Sequence, residues 1–303
     1  MPADDVVLAP PHTVLKTSSG KIRRAASREF YEHGCSTTQP APVWWQVTRL
    51  TWTALRPQFR RVVQAAAGYL YGIYALACFF ALGIPTWVAT ALLGRSNASR
   101  RVVHHAARMF FRLAGIPLQV QGLAHLPRTP GVLAINHTSY LDGVALFAAL
   151  PPEFSAAFAA KRELAGHWLP RLFLRAIGIE FVERFDAKQG VEDIEQFMVA
   201  LAAGRSPAFF PEGTLQSRAG LKPFRSGAFA VAVRAGVPVL PVVIRGARSV
   251  LRDQTWIPRH GVISVTLLPP LAPPGSDWEA TVKLRDRVRG EILRACGEPD
   301  LAQ

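Results

Sequence analysis

Cysteine is scarce in this chain. Cys35, Cys78 and Cys296 are the only three, and no two of them stand in C-x-x-C or metal-ligand spacing. That argues against a disulfide framework and a cysteine-built metal site, and it suits a reducing compartment. No H-E-x-x-H, phosphate-binding P-loop or G-x-S-x-G elbow is present, so zinc-peptidase, P-loop and serine-elbow chemistry have no carrier. His104 and His105 are adjacent, and on a helix they point about 100° apart, which makes them poor joint ligands. Residues 1–30 lack the apolar core and cleavage site of a secretory signal. Acidic residues are also few, 21 against 35 Lys+Arg, for a formal charge of +14. Such a surplus asks for a polyanionic partner. Because the basic residues are dispersed and not interleaved with exposed aromatics, nucleic acid is a poor candidate.

One more absence points to the partner. Between Arg61 and Arg95 there is no charged residue, a run long enough for a membrane span of about 20 residues. The expected partner is therefore a membrane surface. Gly83 and Pro85 interrupt the run, and proline breaks or bends a helix. Arg49, Arg56, Arg60 and Arg61 precede it, and Arg95, Arg100, Arg101 and Arg108 follow it. Since positive residues stay cytoplasmic, this predicts a re-entrant hairpin in preference to a single crossing. Its second arm continues into RRVVHHAARMFFRL, a basic amphipathic segment suited to the headgroup layer. The expected location is the cytoplasmic face of the inner or plasma membrane.

Three regions follow. Residues 1–40 are polar and basic, with little to bury, and are expected to be flexible. Residues 41–115 hold Trp44, Trp45, Trp52 and the apolar run, expected to be membrane-anchoring helices. Residues 116–303 alternate strand-like and helix-like patterns, as an α/β domain does. GVLAINH (131–137), SPAFFPEGT (206–214), VPVLPVVIRG (237–246) and VISVTLLPPL (262–271) read as strands. Residues 139–150 and 223–236 read as helices. Polar motifs at strand C-terminal ends are where open α/β sheets carry their sites.

The chemistry concentrates in two segments. His137 lies just past an apolar strand, with Asp142 five residues on, about one helical turn in. A carboxylate on one imidazole nitrogen fixes the tautomer and raises the basicity of the other. The free nitrogen can then take a proton from an alcohol as its oxygen attacks a carbonyl. An H-x-x-x-x-D match alone is equally a capped helix start with a surface histidine. Glu212 sits on a tight turn after a second strand, beside Gly213, whose lack of a side chain permits close backbone approach; a plain strand-exit turn is the alternative.

Together these segments resemble the glycerolipid acyltransferases, of which the 1-acylglycerol-3-phosphate acyltransferases are the best-known members. N-H-x-x-x-x-D stands as NHTSYLD (136–142), G-x-x-F-[IV]-x-R as GIEFVER (178–184), F-P-E-G-T as FPEGT (210–214) and V-P-[VI]-x-P as VPVLP (237–241). AKREL (160–164) is similar to the stretch before the second motif. The resemblance covers about residues 65–270. It implies an α/β fold with a mixed sheet flanked by helices and an N-terminal membrane-embedded helical segment. It also implies transfer of a fatty acyl group from acyl-CoA or acyl carrier protein to a lysophospholipid, with no cofactor beyond that co-substrate. His137 would be the general base and Asp142 its orienting partner. Arg184, Glu212, Gly213 and Thr214 would hold the acceptor, Arg184 because its donor fork matches phosphate oxygens. Lys161 and Arg225 are added cations by position, with solvated surface charge as the other reading. Phosphatidate-forming members often follow F-P-E-G-T with Arg-Ser. Here Leu215-Gln216-Ser217-Arg218 stands instead, so the phosphate-side arginine is missing or displaced to Arg218. Other lysolipids, lyso-ornithine lipid among them, remain open as acceptors beside 1-acylglycerol-3-phosphate. A thioesterase or lipid hydrolase using the same His–Asp pair, and a non-catalytic basic membrane-binding protein, are the other function classes.

The N-terminus differs from all of this. PPHTVLKTSSGKIRRAASREFYEHG resembles the C-terminal end of the acyl-activating adenylate-forming ligases, in which the lysine corresponding to Lys21 contacts the adenylate. With the large nucleotide-binding domain absent, the segment is expected to be a remnant or the cut end of a ligase–acyltransferase fusion. It suggests an acyl-activating ligase as a partner.

Overall fold

The structure is a computed structural model, and it describes residues 14, 16–17, 20–32, 43–161, 180–182, 187–215 and 218–302. The chain divides into two compact units, Met1–Val63 and Gln64–Gln303. In the first, Lys16 and Ile22 form an antiparallel bridge, and Thr17 N–H donates to the Lys21 carbonyl at 2.8 Å. Helix α1 (Arg24–Glu32) follows, with an exposed Arg28–Glu32 pair one turn apart. Helix α2 (Val43–Leu93) starts in the first unit and continues into the second.

The expected hairpin is not formed, because α2 runs unbroken through Gly83 and Pro85. Proline removes only one backbone hydrogen bond, the one that would reach Ala81. In the next turn the Thr86 hydroxyl donates to the Leu82 carbonyl at 2.7 Å. The chain reverses later, at 94–96. Helix α3 (Asn97–Leu113) then starts with Ser96 as N-cap, its hydroxyl accepting from Ser99 N–H. The two helices run antiparallel: the Tyr71 and Tyr74 hydroxyls donate to the Ala114 and Leu113 carbonyls, both at 2.9 Å, and Phe79 meets Phe110 edge-on. Along α2, Gly72, Ala75, Thr86 and Thr90, all in the second unit, form a buried helical stripe. Tyr69, Leu70, Ile73, Phe80, Ile84 and Val88 are exposed on the other side. The described segment Thr51–Leu93 is long and apolar enough to cross a membrane.

Beyond α3 lies a seven-stranded sheet: β1 (Leu118–Gln121), β2 (Val132–Ile135), β3 (Ala156–Lys161), β4 (Glu180–Val182), β5 (Ser206–Phe209), β6 (Val239–Arg245) and β7 (Ile263–Leu267). Their order is β1-β7-β6-β2-β5-β3-β4. Only β6 and β7 pair antiparallel, so the sheet is mixed, as expected. β2, and β6 as far as Ile244, are apolar and buried on both faces, as crossover-connected strands are. Leu133, Ile135, Leu240, Val242 and Ile244 face a core shared with α3 and α4 (Asp142–Ala149). Val132, Ala134, Val239 and Val243 face a second core made by α5 (Ala187–Ala202), α6 (Gly227–Ala235) and α8 (Trp278–Cys296). A short helix α7 (Ala247–Val250) follows β6. The parallel pairing of β2 with β5 and β6 brings the C-terminal ends of all three to one edge of the sheet, and both chemical motifs emerge there.

Candidate active site

Asn136 is the first residue beyond β2, and its amide takes the place of a strand pair. Its Nδ2 donates to the Ile244 carbonyl at 2.9 Å, and its Oδ1 accepts from Ile244 N–H at 2.7 Å. Both β6 groups are thereby satisfied, and the chain can leave the sheet at His137 without orphaning buried backbone.

Asp142 opens α4 and is fully buried. Its Oδ2 accepts from Thr138 N–H at 2.6 Å and Ser139 N–H at 2.8 Å, and lies 2.9 Å from His137 Nδ1. The Thr138 hydroxyl donates to Oδ1 at 3.2 Å. A carboxylate with these donors cannot rotate away, so it holds the imidazole in the Nδ1–H tautomer and leaves Nε2 as the basic nitrogen. The ring is 20% exposed, open enough for a substrate. Its flat face packs on Phe210, with ring centroids 4.3 Å apart.

Glu212 joins the second motif to the first. Its Oε1 accepts from His137 N–H at 2.7 Å, and its Oε2 from Lys222 N–H at 3.1 Å. The side chain is buried, and burial raises its pKa above the ordinary carboxylate range; the two backbone donors oppose that shift without cancelling it. Gly213 follows in a left-handed conformation, φ +82°, where a Cβ would fall 2.7 Å from Arg225 Nε. Only glycine fits both that backbone and that neighbour. Arg225 is further tied to the turn through its N–H, which donates to the Pro211 carbonyl at 2.8 Å.

The structure thus brings His137, Asp142, Glu212, Gly213 and Arg225 together. Thr214 joins them through Lys222, whose Nζ donates to the Thr214 carbonyl at 3.2 Å and hydroxyl at 3.0 Å. Arg218 is exposed, its carbonyl accepting from Arg248 at 2.7 Å. Among the described residues it is not hydrogen-bonded to His137 or Glu212. Lys161 ends β3, its backbone in register with Val182. Arg184 lies outside the described residues. Sequence reasoning missed Lys222 and Phe210. Phe210 sits inside F-P-E-G-T, where it reads as strand filler. Lys222 stands ten residues past Glu212 in a loop without periodicity, and only the fold returns it. Among the described residues no group of three or more His, Cys, Asp or Glu could hold a metal ion.

Comparison with known proteins bears on what this geometry is for. Residues 117–245, which include both motifs, match the sequence model of the family described as Acyltransferase. Relatives include a chloroplastic 1-acyl-sn-glycerol-3-phosphate acyltransferase of Brassica napus, 30% identical over 57% of this chain and 51% of that protein. The human 1-acyl-sn-glycerol-3-phosphate acyltransferase alpha is 28% identical over 67% of this chain and 72% of its own length. The chain thus spans about half the length of the plant relative. Among solved structures, the 1-acyl-sn-glycerophosphate (LPA) acyltransferase PlsC of Thermotoga maritima shares the fold, with a TM-score of 0.59 at 23% identity over 77% of this chain and 95% of that one. The sequence likenesses are to 1-acyl-sn-glycerol-3-phosphate acyltransferases, and the structural likeness shows the fold.

Proposed function

We propose that the protein is a membrane-bound O-acyltransferase that moves a fatty acyl group from a thioester, acyl-CoA or acyl carrier protein, onto a lysophospholipid hydroxyl in phospholipid synthesis. 1-Acylglycerol-3-phosphate is the first acceptor to test, because that name recurs among the relatives. The observation that carries this reading is the Glu212 bridge: one carboxylate holds the backbone of His137 and the F-P-E-G-T turn in a single site.

His137 Nε2 removes the acceptor proton as the alcohol oxygen attacks the thioester carbonyl. The tetrahedral intermediate collapses with cleavage of the carbon–sulfur bond, and the proton passes from the imidazolium to the leaving sulfur. The new ester forms with no acyl-enzyme. Asp142 orients the ring and balances the positive charge it gains. Arg225 and Lys222 border the Glu212 turn and supply positive charge for an anionic acceptor; Arg184 is proposed to join them through its motif. The apolar outer face of α2 is the membrane element, and the domain lies on the cytoplasmic face. Residues 1–40 are proposed to be ligase-like in origin, either a remnant or the end of a ligase–acyltransferase fusion, with Lys21 taking no part in transfer.

Purified protein given a labelled acyl thioester and 1-acylglycerol-3-phosphate should form the diacyl product, and His137→Ala should abolish it. Full activity in that variant would remove the mechanism, and free fatty acid without new lipid would mark a hydrolase.

A further inference from the structure

One feature near the site has no part in the chemistry above. The loop 251–261, between α7 and β7, joins the catalytic turn to α2. At one end the Ser139 hydroxyl donates to the Leu251 carbonyl at 2.6 Å while accepting from Leu141 N–H at 3.1 Å. The Tyr140 hydroxyl donates to Asp253 Oδ1 at 2.8 Å, and its ring lies parallel to Trp256, 5° between planes with centroids 6.1 Å apart. At the other end His260 stacks on Tyr71, with centroids 3.4 Å apart. Ile257 and Pro258 press on Gly72 so closely that a Cβ there would fall 2.1 Å from Ile257 Cγ2.

The exposed parts of this loop have a definite character. Trp256 is 77% exposed and Tyr140 49%, beside the dyad. The loop's one carboxylate, Asp253, is turned onto Tyr140, whereas Arg252 and Arg259 are exposed. An apolar plate with an outward indole, flanked by cations, matches the headgroup–acyl boundary of an anionic leaflet, where tryptophan and tyrosine concentrate. Along α2 the exposed apolar residues Tyr69, Leu70 and Ile73 flank in sequence Tyr71 and Gly72, the two residues that hold the loop.

The geometry points to Trp256 and Tyr140 as an interfacial rim that dips into the leaflet and admits the lipid acceptor to His137 from the membrane side. Its depth is set by the Tyr71–His260 and Gly72–Ile257 contacts with α2. This rests on the acyltransferase reading for its substrate, and on the loop geometry alone for its membrane contact.

Two measurements separate these. With the full chain bound to phosphatidylcholine–phosphatidylglycerol vesicles, the emission lost on Trp256→Phe isolates this indole from the other six tryptophans. That component should be quenched by acyl chains brominated near the headgroup more than by chains brominated near the bilayer centre. No quenching at either depth overturns the insertion, whether or not the protein is an enzyme. In the second measurement, Trp256→Ala should lower transfer to a bilayer-resident lysolipid at least tenfold. Transfer to a short-chain acceptor dissolved below its micellar concentration should stay within twofold. Equal losses on both acceptors, or none on either, overturn the role in acceptor entry.

Discussion

At the level of single residues, the site is a set of carboxylates with separate duties. Asp142 uses its lone pairs on two backbone N–H groups, one hydroxyl and one imidazole, so it fixes the ring in place. Replacing it with Asn presents one acceptor where Oδ2 now serves three donors. Asp142→Asn should lower the rate of acyl transfer about 100-fold or more, on the scale of general-base catalysis, with little change in acceptor KM; steady-state kinetics decide it. Glu212 is different because burial raises its pKa. The folded protein holds a proton there that the unfolded chain releases at the ordinary value. The contribution of Glu212 to stability is therefore largest below the unfolded pKa, and it declines as pH rises toward and past the raised folded value. Glu212→Gln loses an acceptor for His137 N–H or Lys222 N–H, at about 1–3 kcal/mol, but carries no buried charge. Its destabilisation relative to wild type should shrink as pH rises above about 4.3, the unfolded glutamate value, in denaturant titrations at several pH values.

The same logic operates between elements. Asn136 lets β2 end while β6 continues, and its removal would leave the Ile244 N–H and carbonyl unpaired in the core. Asn136→Ala should cost about 1–3 kcal/mol in unfolding free energy and slow transfer as well, because the adjacent His137 loses its fixed exit angle; Asn136→Gln should not restore the register. In α2, Pro85 sits within a continuous helix whose neighbouring turn is braced by Thr86. Pro85→Ala should raise the melting temperature in detergent and leave acyl transfer unchanged, since a regained helical bond needs no rearrangement of a helix already straight enough to pack. A fall in stability would show instead that the proline is required for the course of the helix.

For the molecule as a whole, the matched domain and the complete dyad fall in the second unit, Gln64–Gln303. Removing residues 1–42 should therefore leave transfer within about threefold, measured on vesicles. A larger loss would give the ligase-like segment a part in the reaction. How much of this was legible beforehand follows from what is local. His137, Asp142 and the F-P-E-G-T turn announce themselves because a dyad within five residues and a glycine-bearing turn are short-range patterns, and the central strands show as apolar runs. The hairpin expected at Pro85 failed because the proline costs α2 one helical bond only, and the helix carries buried positions on both sides of it, Gly72 and Ala75 before and Thr90 after. Lys222, the loop 251–261 and the bridge from Glu212 to the backbone of His137 join positions 10 to 113 residues apart. Sequence alone determined which groups are available for proton transfer, since that depends on residue chemistry and short spacing. Which of them meet, and which cations and aromatics surround them, was decided by the parallel crossovers that carry β2, β5 and β6 to one sheet edge, because side chains so distant along the chain become neighbours only through packing.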